Sequence, residues 1–425
     1  MTASSNAITH SAADHSEGTA FPFFPDNIQF WYETKRTIGA SSYGGSEFGE
    51  VMATVSRIVS GDIDSWHREF NATAERLAKA AETQLAAGHR VSARDSFLRA
   101  ATYFRTSEFF LHGNQTDPRI DAAYEKSVNA YKASAALYQT PILPVEIPYE
   151  GTTLPGHFHR VDDSDRRRPL LIIHSGFDGS AEELHMDGAR AAVERGYNVL
   201  AFDGPGQYGP VHRERLPFRH DWEKVVTPVI DFALTLPGVD PERIALMGIS
   251  MGGYLACRAA AFEKRIAALI ANDGIYDFGA PQLAWIPPER RSAVIEAINA
   301  KEAPELDRVL EANAKSSPTA EWATAHGMFV FGTSTHRETL AKVMRYNLRD
   351  GIAERISCPT LVLDAEDEMF FKGQPEQLFD HLTCAKTLTR FTIEEGAGAH
   401  CQVGAFRLAF GRIYDWLGET LGNVA

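Results

Sequence analysis

Arg243-Ile-Ala-Leu-Met-Gly248-Ile-Ser250-Met-Gly252-Gly253-Tyr-Leu-Ala-Cys-Arg258 changes character twice within a short span. Ile244 to Met247 is a continuous apolar run, the pattern of a strand buried on both faces. A turn through Gly248-Ile-Ser250-Met-Gly252 follows, and Tyr254 to Phe262 continues as a helix rich in small residues. Strand, G-x-S-x-G and helix in that order form a nucleophile elbow. In so tight a turn Gly248 and Gly252 let neighbouring backbones approach, while Ser250 takes a strained conformation and projects its hydroxyl into a cleft.

Ser250 needs a base, because a serine hydroxyl is a weak nucleophile at neutral pH. Elbow hydrolases carry Ser, then an acid, then His along the chain. Here the acids Asp364, Glu366, Asp367 and Glu368 come next, and His400 follows in the glycine-rich Glu395-Gly-Ala-Gly-Ala-His400-Cys. That loop follows the last expected strand, at the carboxyl edge of the sheet where ligands bind. Elbow hydrolases place the acid three residues beyond a small residue that ends a strand, which from Ala365 gives Glu368. Asp367, one residue away, is the alternative. The oxyanion hole needs two backbone N–H groups. One is assigned to Met251 and the other to Phe177 in His174-Ser-Gly-Phe-Asp178-Gly. Asp178 is either a helix N-cap or a substrate-facing acid beside that hole.

The pattern outward from the elbow is α/β. Val145 to Gly151 and Leu154 to Arg160 read as a hairpin turning at Gly151-Thr152-Thr153. Strands are expected at Leu170 to His174, Tyr197 to Phe202, Ile266 to Ala271, Thr360 to Asp364 and Lys386 to Ile393, with helices between them. Such alternation predicts a mostly parallel, doubly wound sheet covered on both faces. It breaks between about 275 and 353, where helical stretches carry Trp285, Trp322, Met328, Phe329 and Phe331, an insertion of the kind that caps a cleft. Residues 145–425 are therefore the expected catalytic domain. Before it, residues 21–144 read as all-helical, with segments near 45–60, 65–87, 91–111 and 119–138. Leu77, Ala80, Ala81 and Leu85 recur at helical spacing, as do Phe97, Ala100, Ala101 and Phe104. Residues 1–20 are polar and predicted to be a disordered tail, without an apolar signal core.

A chain of 425 residues with a formal net charge of −14 argues against nucleic acid and anionic membranes as partners. No apolar run reaches a membrane span. The four cysteines lack close metal-ligand spacing and suit a reducing, cytoplasmic setting. His157 and His159 alternate on one expected strand without a third ligand nearby in sequence, so neither a metal nor a cofactor is expected. Asp203-Gly-Pro-Gly-Gln207 lacks the lysine of a phosphate loop and reads as a strand-to-helix turn. The apolar Phe21 to Tyr32 segment is consistent with a homodimer.

Three blocks carry a family resemblance: Ser175-Gly-Phe-Asp178-Gly-Ser-Ala-Glu-Glu183; Phe202-Asp-Gly-Pro-Gly-Gln207 with the elbow; and Cys358 to Gln374 followed by Glu395 to Gln402. Together they resemble a branch of the α/β-hydrolases. That branch includes a polyketide-shortening hydrolase of melanin formation, fusarin-type ring-forming hydrolases and 2,6-dihydroxypseudooxynicotine hydrolase. The resemblance implies an α/β-hydrolase fold, a triad of Ser250, Asp367 or Glu368, and His400, and an N-terminal helical lid. It also implies a small polyketide-like or aromatic ketone substrate, cleaved at a carbon–carbon bond beside a carbonyl or at an acyl bond. Ring closure by internal acyl transfer and plain carboxylester hydrolysis use the same machinery; a non-catalytic binding protein is the remaining reading. Relatives commonly have Asp where this chain has Glu368, which leaves the identity of the acid open between Glu368 and Asp367.

Overall fold

Two covering layers of helix and one central sheet account for most of the chain. The computed structural model describes residues 23–284 and 286–422; the tail expected over residues 1–20, and Trp285, lie outside the described residues. Helices come first: α1 (Ile28–Gly39), α2 (Phe48–Val55), α3 (Ile63–Ala86), α4 (Arg90–Glu108) and α5 (Pro118–Ala135). Their starts follow from capping chemistry. Asn27 accepts from the Phe30 N–H, Asp62 from those of Asp64 and Ser65, and Asp117 from that of Arg119, with Pro118 in the first turn of α5. Leu77, Ala81, Phe97, Ala100, Ala101 and Phe104 are buried as their spacing predicts, whereas Leu85 is exposed near the end of α3. The aromatic segment before residue 45, given no element by sequence, forms α1. Its Phe30 ring lies 4.8 Å from Trp66 and 4.7 Å from Phe110.

The α/β part starts at β1 (Leu143–Tyr149) and β2 (Thr152–His159). The turn between them falls on Glu150 and Gly151, both with positive φ, one residue earlier than expected. That is the two-residue geometry whose twist matches paired strands. There follow β3 (Arg168–His174), α6 (Ala189–Val193), β4 (Asn198–Phe202), α7 (Tyr208–Glu214), α8 (Glu223–Ala233), β5 (Val239–Ile249), α9 (Met251–Phe262) and β6 (Ala268–Asn272). The insertion holds α10 (Pro288–Asn299), α11 (Pro304–Ala314), α12 (Pro318–Phe331) and α13 (His336–Val343). An isolated bridge between Asp277 and Asn347 closes its base. The chain then forms β7 (Thr360–Ala365), α14 (Gln374–His381), β8 (Lys386–Phe391) and α15 (Phe406–Leu421).

The strands form one sheet in the order β1-β2-β4-β3-β5-β6-β7-β8. The β1–β2 and β2–β4 pairs are antiparallel, and every pair from β4 to β8 is parallel. Alternate residues of the central strands feed two cores. Leu171, Ile173, Ala245 and Met247 pack toward α15 and the N-terminal helices, in one continuous cluster with Phe30, Trp66 and Phe104. Leu170, Ile172 and Leu246 pack toward α8 and α9 on the other face. The helix expected between β3 and β4 is instead a short turn at Glu183–His185 and the brief α6. Gly188 separates them at φ +138°, and a Cβ there would meet the Tyr414 hydroxyl at 2.9 Å.

Candidate active site

β5 delivers Ser250 at its carboxyl end, where the residue takes φ 61° and ψ −129° and heads α9. Two glycines make this turn fit. A Cβ on Gly248 would lie 1.9 Å from the Gly252 carbonyl oxygen, and one on Gly253 would lie 2.0 Å from that of Asp273. The Ser250 N–H donates to the Asn272 carbonyl at 2.6 Å, which ties the elbow to the end of the adjacent strand β6.

His400 comes from the loop after β8. Its Nε2 stands 2.9 Å from Ser250 Oγ. Its Nδ1 stands 2.7 Å from Glu368 Oε2 and 2.5 Å from Asp273 Oδ2. One imidazole N–H therefore faces two carboxyl groups, both almost wholly buried. Glu368 Oε1 accepts from the Phe370 and Phe371 N–H groups at 2.7 and 3.0 Å. Asp273 has φ +33°, and its Oδ2 also accepts from the Cys401 N–H at 3.3 Å.

Electrostatics divide the two acids. Burial and the neighbouring Asp273 charge push the Glu368 carboxyl above its ordinary range, against the pull of His400. Burial also acts on Asp273, but His400 and hydrogen bonds from His400, Glu368 and Cys401 outweigh it and hold Asp273 low. Two buried carboxyls on one nitrogen cannot both ionise at little cost. Of the two, Glu368 is the acid pushed up and Asp273 the acid held down. Burial works against a charged His400; Cys401, Glu368 and Asp273 outweigh it and raise the imidazolium pKa well above its usual value. With the Cys401 thiol kept neutral by burial, the carboxyls are the effective partners.

Gly176 brings the loop after β3 against the elbow: a Cβ there would lie 2.7 Å from the Met251 nitrogen. Phe177 and Met251 are thus neighbours beside Ser250. His326 Nε2 donates to the Phe177 carbonyl at 3.0 Å, and the next residue, Asp178, pairs with Arg36 at 3.3 Å. Aromatic rings surround the group. Phe370 and Phe371 lie 4.9 and 5.8 Å from the His400 ring, and Tyr32 on α1 donates to the His400 carbonyl at 3.4 Å. The Trp322 indole donates to the Phe109 carbonyl at 2.8 Å and stacks on its ring, joining the insertion to the end of α4. Asp273, His400 and Cys401 offer donor atoms within 4.8 Å of one another, yet both imidazole nitrogens are already engaged with Ser250 and the acids.

Comparison with known sequences agrees with this layout. The model of the Alpha/beta hydrolase family matches residues 170–405, and that described as Esterase FrsA-like matches residues 41–276. The chain belongs to the α/β-hydrolase family. This α/β-hydrolase is 33% identical over 416 residues to Hydrolase LUC6 of Fusarium sp, covering 94% of this chain and 98% of that protein. It is 34% identical over 405 residues to 20-hydroxy-prefusarin hydrolase FUS2 of Gibberella moniliformis, covering 92% and 96%. The crystal structure of 2,6-dihydroxy-pseudo-oxynicotine hydrolase shares the fold, with a TM-score of 0.69 at 22% identity over 91% of this chain and 97% of that one. By family and relatives it is a hydrolase. Among the described residues no helix is long and apolar enough to cross a membrane.

Of the residues singled out by sequence, Ser250, His400 and Glu368 come together, and Met251 and Phe177 adjoin them. Asp367 does not. It is exposed, and its N–H donates to the Gly398 carbonyl at 2.8 Å. Asp178 faces Arg36 rather than standing as a free acid. Asp273 escaped sequence reading; Asn272-Asp273-Gly274, closing the strand beside the elbow, was the available signal. His157 pairs with Glu182 at 2.9 Å, and His159 sits beside His185 in a buried seam against α5.

Proposed function

We propose that this α/β-hydrolase cleaves a carbon–carbon bond beside a carbonyl, or an acyl bond, in a polyketide-type small molecule through a serine nucleophile. The reading is carried by His400, whose two nitrogens link Ser250 to a buried acid pair. His400 takes the Ser250 proton as Oγ attacks the carbonyl carbon. The resulting oxyanion is met by the Met251 and Phe177 N–H groups, each aimed at charge that exists only in the transition state. Collapse breaks the bond to the neighbouring carbon, and the released carbanion takes the proton back from the His400 imidazolium. Water, deprotonated in turn by His400, then attacks the acyl ester and releases a carboxylic acid and free Ser250.

The raised pKa of His400 suits a carbanion route, since the imidazolium has to persist until the carbon leaving group is ready for its proton. The rings of Phe370 and Phe371 beside His400, and of Trp322 beside Phe177, suit a flat conjugated substrate whose carbanion is delocalised. The relatives' names support the same class: one acts on 20-hydroxy-prefusarin and one on a dihydroxylated pseudo-oxynicotine. The N-terminal helices and the insertion act as the covering that keeps bulk water from the carbanion. The test is intact-mass analysis after a fluorophosphonate, followed by a screen of aryl 1,3-diketones. One label on wild type and none on Ser250→Ala, with acid and ketone products from a diketone, is the expected result. A folded wild type that takes no label would sink the proposal.

A further inference from the structure

Two arginines reach the Phe177 loop from the N-terminal helices, outside the sheet. Arg36 on α1 meets Asp178 at 3.3 Å, Glu183 at 3.0 Å and Glu33 at 3.5 Å. Arg105 on α4 meets Glu108 at 2.8 Å and Glu183 at 3.2 Å, and it donates to the backbone carbonyl of Asp178. From the insertion, His326 holds the preceding carbonyl, that of Phe177. Two consecutive peptide units are thereby pinned by side chains from separate parts of the chain. A peptide unit is planar, so the two soft angles of Phe177 separate the His326 anchor from its N–H, and those of Asp178 add two more before the Arg105 anchor. On its other side Gly176 is wedged against Met251.

Burial leads in pushing Glu33 up to about 8, and Glu108 and Asp187 to about 7. Asp178 is held low, with Arg36 and Arg105 outweighing its burial. Both arginines meet Glu183, and Arg36 also meets Asp178, so each ties its own helix to the segment after β3.

We infer that Arg36 and Arg105 are positioning residues that aim the Phe177 N–H into the oxyanion hole. The inference rests on the proposed reading of that N–H as a transition-state donor. It makes α1 and α4 part of the reaction machinery. Lysine in place of either arginine keeps the charge but loses the planar fork that spans two partners.

The experiment measures fluorophosphonate labelling of Ser250 as separate kinact and KI values, with thermal midpoints alongside. In that reaction Oγ displaces fluoride from phosphorus, its proton passes to His400, and the phosphoryl oxygen occupies the hole. Arg105→Met and Arg36→Met are expected to lower kinact by about 10-fold or more with KI within about 3-fold, since loss of a whole donor costs about 100-fold or more. Arg36→Lys and Arg105→Lys recover part of the loss. Where a single variant fails to fold, the double variant Arg36→Met with Asp178→Asn removes both charges and is measured instead. A labelled wild type with unchanged kinact in the folded variants overturns this inference alone. So does a parallel loss in kinact and KI. An unlabelled wild type overturns the nucleophile reading and takes this inference with it.

Discussion

Replacing the two acids on His400 one at a time separates their roles. Glu368→Gln removes the carboxyl that is pushed up while keeping an oxygen for the Phe370 and Phe371 N–H groups. Asp273→Asn removes the charge that stands 2.5 Å from Nδ1. An opposite charge at such a range is worth about one to three pKa units to its partner, at about 1.4 kcal/mol per unit. The transition state contains the imidazolium, so Asp273→Asn is expected to slow acylation by about 10- to 1,000-fold, and Glu368→Gln by less than about 10-fold. The sign with pH follows from the base having to be neutral. His400 is raised above the usual histidine value, so wild-type acylation climbs with pH through that raised pKa, on the alkaline side of about 6.5. Loss of the Asp273 charge moves this limb about one to three units toward acid. The assay is fluorophosphonate kinact against pH from about 5 to 10 for all three proteins. A Glu368→Gln defect far exceeding that of Asp273→Asn, or a limb that stays in place, would refute this division of roles.

Gly253→Ala brings a Cβ within 2.0 Å of the Asp273 carbonyl. It is expected to displace Asp273 and abolish labelling even where circular dichroism reports a folded chain, and near-normal labelling would contradict the packing. Trp66→Ala empties a fully buried site among Phe30, Phe70 and Phe110 and removes the bond to the Thr106 carbonyl. Chemical denaturation should show a loss of about 3–5 kcal/mol. Burial, with nearby positive charge, depresses His185 to about 3, so on acidification it takes up a proton only in the unfolded chain. His185→Gln lacks this penalty. The stability advantage of wild type over the variant should shrink by about 1.4 kcal/mol per pH unit below about pH 6.5, and a constant difference would contradict it.

The fold was legible because its central strands are short apolar runs set between glycine turns and amphipathic helices. β3, β5, β6 and β7 carry that signal in full, as does the elbow between β5 and α9. Where local signals weaken, the chain departs from expectation. Gly188 stops a helix because of contact with Tyr414, a residue far away in sequence. α1 carries Glu33 and Thr34 on its buried side, so its hydrophobic period is blurred by the acid network it serves. Ser250, His400 and Glu368 could be found because order and spacing along the chain are enough to propose them. Asp273 could not, since its nearness to His400 arises only when β6 is laid beside β5 and the loop after β8 folds back over both.

The core that runs unbroken from the N-terminal helices into one face of the sheet makes those helices part of the body of the molecule. Swinging α1 to α5 away would uncover that face and tear Arg36 and Arg105 from their partners. The insertion is a different matter: α10 and α11 bury little beyond Ile298 and Leu310. Shifting α10 and α11 therefore costs less buried surface than shifting the helices that share the central core.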